Sequence, residues 1–213
     1  ELLLLEGHTS GLTRAVFSPD GKLLVTGSER PDATVKICDT VSGTELISQP
    51  ASHGSRVWGL AYSPNGRFLV TSGGVSTAKI WSLERAGGSG QLLAPLTGHD
   101  NPVSGLGFSL DGRLLATASA GEETRLWDMS PLDESALGAT VPTLLTVPGG
   151  SPAFNAEASE LITVDREGLI RVYELDKERL MALAGSRITR GFTTEECQRF
   201  KIERCPWEPE TSK

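Results

Sequence analysis

The chain has 213 residues, a formal charge of −7 and a pI near 5.1. That acidic balance argues against a broad phosphate-binding face, because nucleic-acid affinity rests on clustered Lys and Arg, and no nucleic-acid partner is expected. No apolar run approaches the roughly eighteen residues of a membrane helix, the start ELLLLEGH lacks a basic lead or cleavage pattern, and three cysteines suit a reducing compartment. A soluble, cytoplasmic chain without a membrane partner is the expectation.

Glu1–Leu5 reads as an outer strand belonging to a preceding unit. Gly7-His8 then opens a unit whose first strand ends at Phe17, whose turn is Pro19-Asp20-Gly21, whose third strand closes on Cys38, and whose outer strand lies near Thr44–Ser48. The second unit begins at His53 and gives strands over Val57–Ser63, Arg67–Ser72, Ala78–Ser82 and Gln91–Leu96, with a turn at Pro64-Asn65-Gly66. Its glycine-rich stretch Ala86–Gly90 lacks the Gly-Lys-Ser/Thr ending of a phosphate loop and reads as a flexible connection. The third runs from Gly98-His99 through Phe108, the turn Leu110-Asp111-Gly112 and Trp127 to an outer strand at Thr143–Val147. A fourth, worn unit keeps Phe154 in register, with strands at Glu160–Val164 and Gly168–Glu174, but has no Gly-His step.

The chain then changes character. Asp176 is placed to cap a helix through Leu180, Met181 and Leu183, with Gly185 as its stop. A second helix is predicted from Thr193, where Thr193-Thr194-Glu195-Glu196 forms a capping box and Phe192 and Cys197 a hydrophobic staple. Cys197 and Cys205 read as ordinary thiols.

The segments FSPDG, YSPNG and FSLDG begin at Phe17, Tyr62 and Phe108, forty-five and then forty-six residues apart, and His8, His53 and His99 keep the same beat. A period of this length marks a supersecondary unit that cannot bury its own apolar face and must stack on copies of itself. The reading is therefore all-β over residues 1–175, about four units, followed by a helical tail over 176–213.

On Gly7-His8, Phe17-Ser18-Pro19-Asp20-Gly21, Tyr62 to Gly66, Trp81-Ser82, Gly98-His99, Phe108 to Gly112 and Trp127-Asp128, the chain resembles the WD-repeat family of β-propellers. The resemblance implies blades of four antiparallel strands and a side-chain network in each, linking a His, a second-strand Ser or Thr, a turn Asp and a third-strand Trp. Carried over, the first blade offers His8, Thr26 and Asp32, with Cys38 at the Trp position and a Pro-containing insertion before Asp32. The second offers His53, Thr71 and Trp81, with Val75 near the Asp position; the third offers His99, Thr117 and Trp127, with Gly121 there. Partial networks and a less rigid propeller are expected.

In the family, residues near the start of the inner strand face the end of the propeller where partners dock. The matching positions are Thr13, Trp58 and Ser104, with Arg14, Arg56 and Pro102 beside them. An aromatic residue paired with Arg is the composition of binding hot spots, and the alternative for Trp58 is packing between blades. Three histidines on three blades do not converge as a zinc site needs, so no metal or other cofactor is expected. The acidic pairs Glu122-Glu123 and Glu195-Glu196 read as solvated surface, and no nucleophile motif is present.

The tail from Ser186 to Cys197, with Cys205-Pro206, is similar to the end of WD-repeat regions in large bacterial signalling proteins. In those the propeller follows an effector such as a signal-transduction NTPase, a kinase, a cyclase or a transcriptional regulator. The expectation is a non-catalytic scaffold or sensor that binds protein or peptide partners and regulates such an effector. The competing reading is a hydrolytic or lyase site in the channel. Four blades are few for a ring, so either further blades upstream or pairing with a second copy is expected ahead of a four-bladed closure.

Overall fold

The computed structural model describes residues 4–50, 53–83, 90–132 and 137–187. The predicted loop at Ala86–Gly90, the helix from Thr193, the two cysteines Cys197 and Cys205, the pair Glu195-Glu196 and most of the tail lie wholly or largely outside them.

Three four-stranded antiparallel sheets and one three-stranded sheet succeed one another in chain order. The first holds β1 (Leu12–Phe17), β2 (Leu23–Ser28), β3 (Thr34–Asp39) and β4 (Glu45–Pro50). The second holds β5 (Val57–Tyr62), β6 (Phe68–Gly73), β7 (Ala78–Ser82) and β8 (Gln91–Leu96), and the third holds β9 (Val103–Phe108), β10 (Leu114–Ser119), β11 (Glu123–Asp128) and β12 (Thr143–Pro148). The last holds β13 (Gly150–Phe154), β14 (Glu160–Val164) and β15 (Ile170–Glu174). β1 packs beside β5, β5 beside β9 and β9 beside β13, so the first strands line a common inner edge.

The turn between first and second strands is built the same way three times. Ser18 Oγ donates to Asp20 Oδ1 at 2.6 Å, and the amide of Leu23 donates to Ser18 Oγ at 2.9 Å. Ser63 with Asn65 and Ser109 with Asp111 repeat this at 2.7 and 2.6 Å. The following glycine closes each turn in the left-handed region, with φ of 73°, 73° and 72° at Gly21, Gly66 and Gly112. In the fourth sheet Asn155 Oδ1 accepts instead from the amides of Ser159 and Glu160, and Ala158 takes the left-handed position at φ 57°.

The apolar core lies between sheets. Val25, Val35, Ile37 and Ile47 of the first sheet meet Val57, Leu69 and Trp81 of the second. Val70, Ala78, Ile80 and Leu96 of the second meet Val103, Leu115 and Trp127 of the third. Each closing tryptophan thus reaches back toward the preceding blade, where burial of its ring contributes most.

The residue just before the closing position faces the following blade. Ile37, Ile80 and Leu126 are 3%, 0% and 4% exposed, whereas Val172, in the same register of the last blade, is 57% exposed. At the other end Phe17 is 61% exposed, while its equivalents Tyr62 and Phe108 are half-buried. Both outer faces of the blade series are therefore apolar and open.

Two local expectations need correction. Leu4 and Leu5 form no strand, since strand geometry is held by a ladder partner and none pairs with them among the described residues. Gly185 does not stop the helix: α1 spans Lys177–Arg187. Glycine inside a helix costs only about 1 kcal/mol, which neighbouring hydrogen bonds absorb. Asp176 does cap it, accepting from the Arg179 amide at 2.8 Å. Chain contacts divide at Tyr173 and Glu174, with the sheets in one unit and α1 in the other. Among the described residues no helix is long and apolar enough to cross a membrane.

Candidate functional site

Two constellations occupy the blades: a hydrogen-bonded set around each histidine and a pocket at the start of the inner strands. In the second blade Thr71 Oγ1 lies 2.9 Å from His53 Nε2 and accepts from Trp81 Nε1 at 2.9 Å. The third repeats this with Thr117 Oγ1, 2.7 Å from His99 Nε2 and 2.8 Å from Trp127 Nε1. In both, the other imidazole nitrogen, Nδ1, is buried without a hydrogen-bond partner among the described residues. Glu123 Oε1 stands 3.6 Å from His99 Nδ1, too far for a hydrogen bond, and is taken by Arg125 Nε at 2.6 Å.

Burial, reinforced by the nearby Lys79 charge, lowers His53 to a pKa of about 4, and burial also lowers His99. Both rings are therefore neutral near pH 7. An aspartate at Gly121 would require the exposed Asn101 side chain, whose amide end lies where a Cβ would stand, to move aside.

The first blade keeps the acid and lacks the indole. His8 Nδ1 is 2.8 Å from Asp32 Oδ2 and its Nε2 is 2.9 Å from Thr26 Oγ1. Thr34 Oγ1 donates to Asp32 Oδ1 at 2.6 Å and the Thr9 amide donates to Oδ2 at 3.0 Å. Burial opposes ionisation of Asp32, but the hydrogen bonds from Thr34, His8 and Thr9 outweigh it and hold the carboxyl at about 2. The buried Cys38 leaves Thr26 without the indole donor that Thr71 and Thr117 receive. Thr34 and Thr9 are not among the positions the resemblance marks, although a threonine two residues after the acid is a usable sequence signal. In the fourth blade, where no histidine sits, Thr163 Oγ1 donates to the Pro148 carbonyl at 2.8 Å.

Thr13, Arg14, Arg56, Trp58 and Ser104 line one pocket of about 260 Å³, with Val57. Strand pairing explains how three blades reach it. Leu12 and Arg14 oppose the consecutive residues Ser28 and Gly27, so Thr13 is an extra residue in β1. Trp58 is the extra residue between Val57 and Gly59, and Ser104 between Val103 and Gly105. A bulge releases one side chain from the alternation of the ladder and re-aims it, and here the three released side chains converge. Thr13 Oγ1 donates to the Gly27 carbonyl at 3.0 Å, and a Cβ on Gly27 would press to 2.7 Å from Val57, so that glycine lets the second blade close in.

Trp58 is half-buried, and its indole Nε1 is buried without an acceptor among the described residues. Arg14 and Arg56 are exposed. The lining has neither carboxylate nor imidazole, so it offers hydrogen-bond donors and no general base. Pro102 does not line the pocket; its carbonyl accepts from the Ala120 amide at 2.8 Å.

Repeated blades with inner bulges and a histidine–threonine–indole set define a β-propeller repeat protein. The model of the WD domain, G-beta repeat, matches residues 1–39, 44–82 and 90–128, more than half of the chain, and the chain belongs to that family. It is similar to the small ribosomal subunit protein RACK1 of Medicago sativa, 35% identical over 80 residues, or 38% of this chain and 23% of that protein. It is similar to eukaryotic translation initiation factor 3 subunit I of Drosophila willistoni, 31% identical over 81 residues, or 38% and 24%. Autophagy-related protein 18 of Meyerozyma guilliermondii is 30% identical over 83 residues, or 38% of this chain and 14% of that protein. These matches span less than a quarter of each relative's length. Among solved structures, the computationally designed Ika8 protein shares the fold at a TM-score of 0.65 and 24% identity, over 81% of this chain and 48% of that one.

Proposed function

We propose that the chain is a non-catalytic protein-interaction module, a scaffold or sensor, that holds protein or peptide partners at the pocket of the three bulges. The observation that carries this reading is the convergence of Thr13, Trp58 and Ser104, one from each of three blades, beside Arg14 and Arg56. A half-buried tryptophan flanked by arginine is the composition of binding hot spots. Two of the relatives carry names that place them in larger assemblies, a ribosomal subunit and an initiation factor, which supports an interaction role.

Two further features belong to this proposal. The open apolar faces at Phe17 and at Ile170 and Val172 favour blades that belong to a larger ring, completed by further blades or a second copy. Regulation of an attached or associated cytoplasmic effector, which the resemblance of the tail implies, is part of the same proposal. Affinity capture from source lysate tests the core of the reading, with the wild-type chain and Trp58→Ala side by side. Partners retained by the wild type and lost by a variant of unchanged unfolding midpoint support it; identical partner sets, or turnover of a small molecule by the pure protein, overturn it.

A further inference from the structure

We propose that the pocket of the three bulges takes a carboxylate from an acidic peptide segment, an inference that rests on reading this pocket as the binding site. Every polar side chain in its lining brings a donor: the guanidinium groups of Arg14 and Arg56, the indole N–H of Trp58 and the hydroxyls of Thr13 and Ser104. An indole N–H can only donate, and this one is buried with no acceptor among the described residues. Thr13 has already spent its hydroxyl on the Gly27 carbonyl, and Arg14 spends one N–H on the Thr13 carbonyl at 2.9 Å, which steadies the head group. What the lining lacks is a carboxylate to answer its two guanidinium groups.

Charge pairing elsewhere in the chain sharpens the point. Lys36, Arg125, Arg166 and Arg171 each lie within 3.0 Å of a carboxylate. With 27 acidic residues against 20 basic ones, acids are in surplus. Yet among the described residues no ion pair engages Arg14 or Arg56. A volume of about 260 Å³ accommodates one acidic side chain with its adjoining backbone rather than a whole peptide. An arginine fork then meets the carboxylate, which supplies the charge partner that Arg14 and Arg56 lack among the described residues. A phosphorylated side chain shares the anionic chemistry, and the test separates the two.

The probe is a fluorescein-labelled hexapeptide Ala-Gly-Glu-Glu-Gly-Ala, titrated into the full chain by fluorescence anisotropy. The Gln-Gln counterpart and a phosphoserine counterpart run beside it. The expected result is an affinity for the Glu peptide at least about tenfold above that for the Gln peptide, lost about tenfold in Arg14→Gln/Arg56→Gln, and weakened by salt. Equal affinity for the Glu and Gln peptides overturns the inference, as does an unchanged affinity in the double variant. Binding of the phosphoserine peptide alone overturns the carboxylate assignment. In each of these cases the pocket itself still stands if Trp58→Ala loses the captured partners, and it falls with the inference if that variant keeps them. Urea midpoints equal to wild type establish that the variants are folded.

Discussion

Thr71 serves two neighbours at once, His53 Nε2 and Trp81 Nε1, each at 2.9 Å, inside a site closed to water. Thr71→Val keeps the shape and removes the hydroxyl, stranding both groups. A loss of roughly 2–6 kcal/mol is expected, at about 1–3 kcal/mol for each of the two unsatisfied groups. Urea denaturation measures it, and a loss under about 1 kcal/mol would show that the set is not a stabilising element. The pH dependence follows from the same sites. The pKa of His53 is lowered from 6.5 to about 4, so the unfolded chain binds a proton that the buried ring refuses, and stability falls as pH drops through that window. Asp32 is lowered from 3.8 to about 2, so its contribution is complete above 3.8 and is lost as pH falls toward 2. Urea midpoints from pH 7 to 2 should fall in these two stages, with Asp32→Asn flattening the lower one; a profile level down to pH 4 would contradict the burial of His53. These triads are legible because spacing repeats them: eighteen residues separate His8 from Thr26, His53 from Thr71 and His99 from Thr117. That the Trp58 indole N–H is buried with no acceptor among the described residues is not legible, because it depends on what surrounds the indole in space.

The turn joining the first two strands shows what one repeat can tolerate. Three copies place glycine in the left-handed region, and the fourth forces Ala158 there at φ 57°. Ala158→Gly should relieve that conformation and raise stability by about 0.5–1 kcal/mol, the left-handed penalty less the entropy that glycine costs. Thermal or urea unfolding reads the change, and a loss of stability would mean that the Ala158 side chain contributes more than its backbone strain costs. The strand pattern was legible in the sequence to within a residue or two because Ser-x-Asp-Gly and Ser-x-Asn-Gly turns punctuate it. The bulges at Thr13, Trp58 and Ser104 were not, since a bulge is a property of two paired strands and one strand's residues do not reveal the mismatch. The end of α1 is not legible for a related reason: Gly185 permits a stop without imposing one.

Across the whole set of blades, the same register position is buried at Ile37, Ile80 and Leu126 and open at Val172. Ile170→Ser/Val172→Ser should reduce self-association of the chain with little change in its unfolding midpoint, because more than half of each side chain is exposed. Light scattering across a concentration series measures this; unchanged association, or a destabilised variant, would show that the face is already covered. The period that announced these blades could not show which faces remain open, since every copy writes the same apolar pattern whether or not a neighbour follows. The central claim is that partners bind where three inner strands bulge. Hydrogen exchange on the chain bound to a captured partner tests it most directly. Slowed exchange centred on residues 12–14, 56–58 and 103–105 is the predicted footprint, and protection confined to the outer strands β4, β8 and β12 would contradict it.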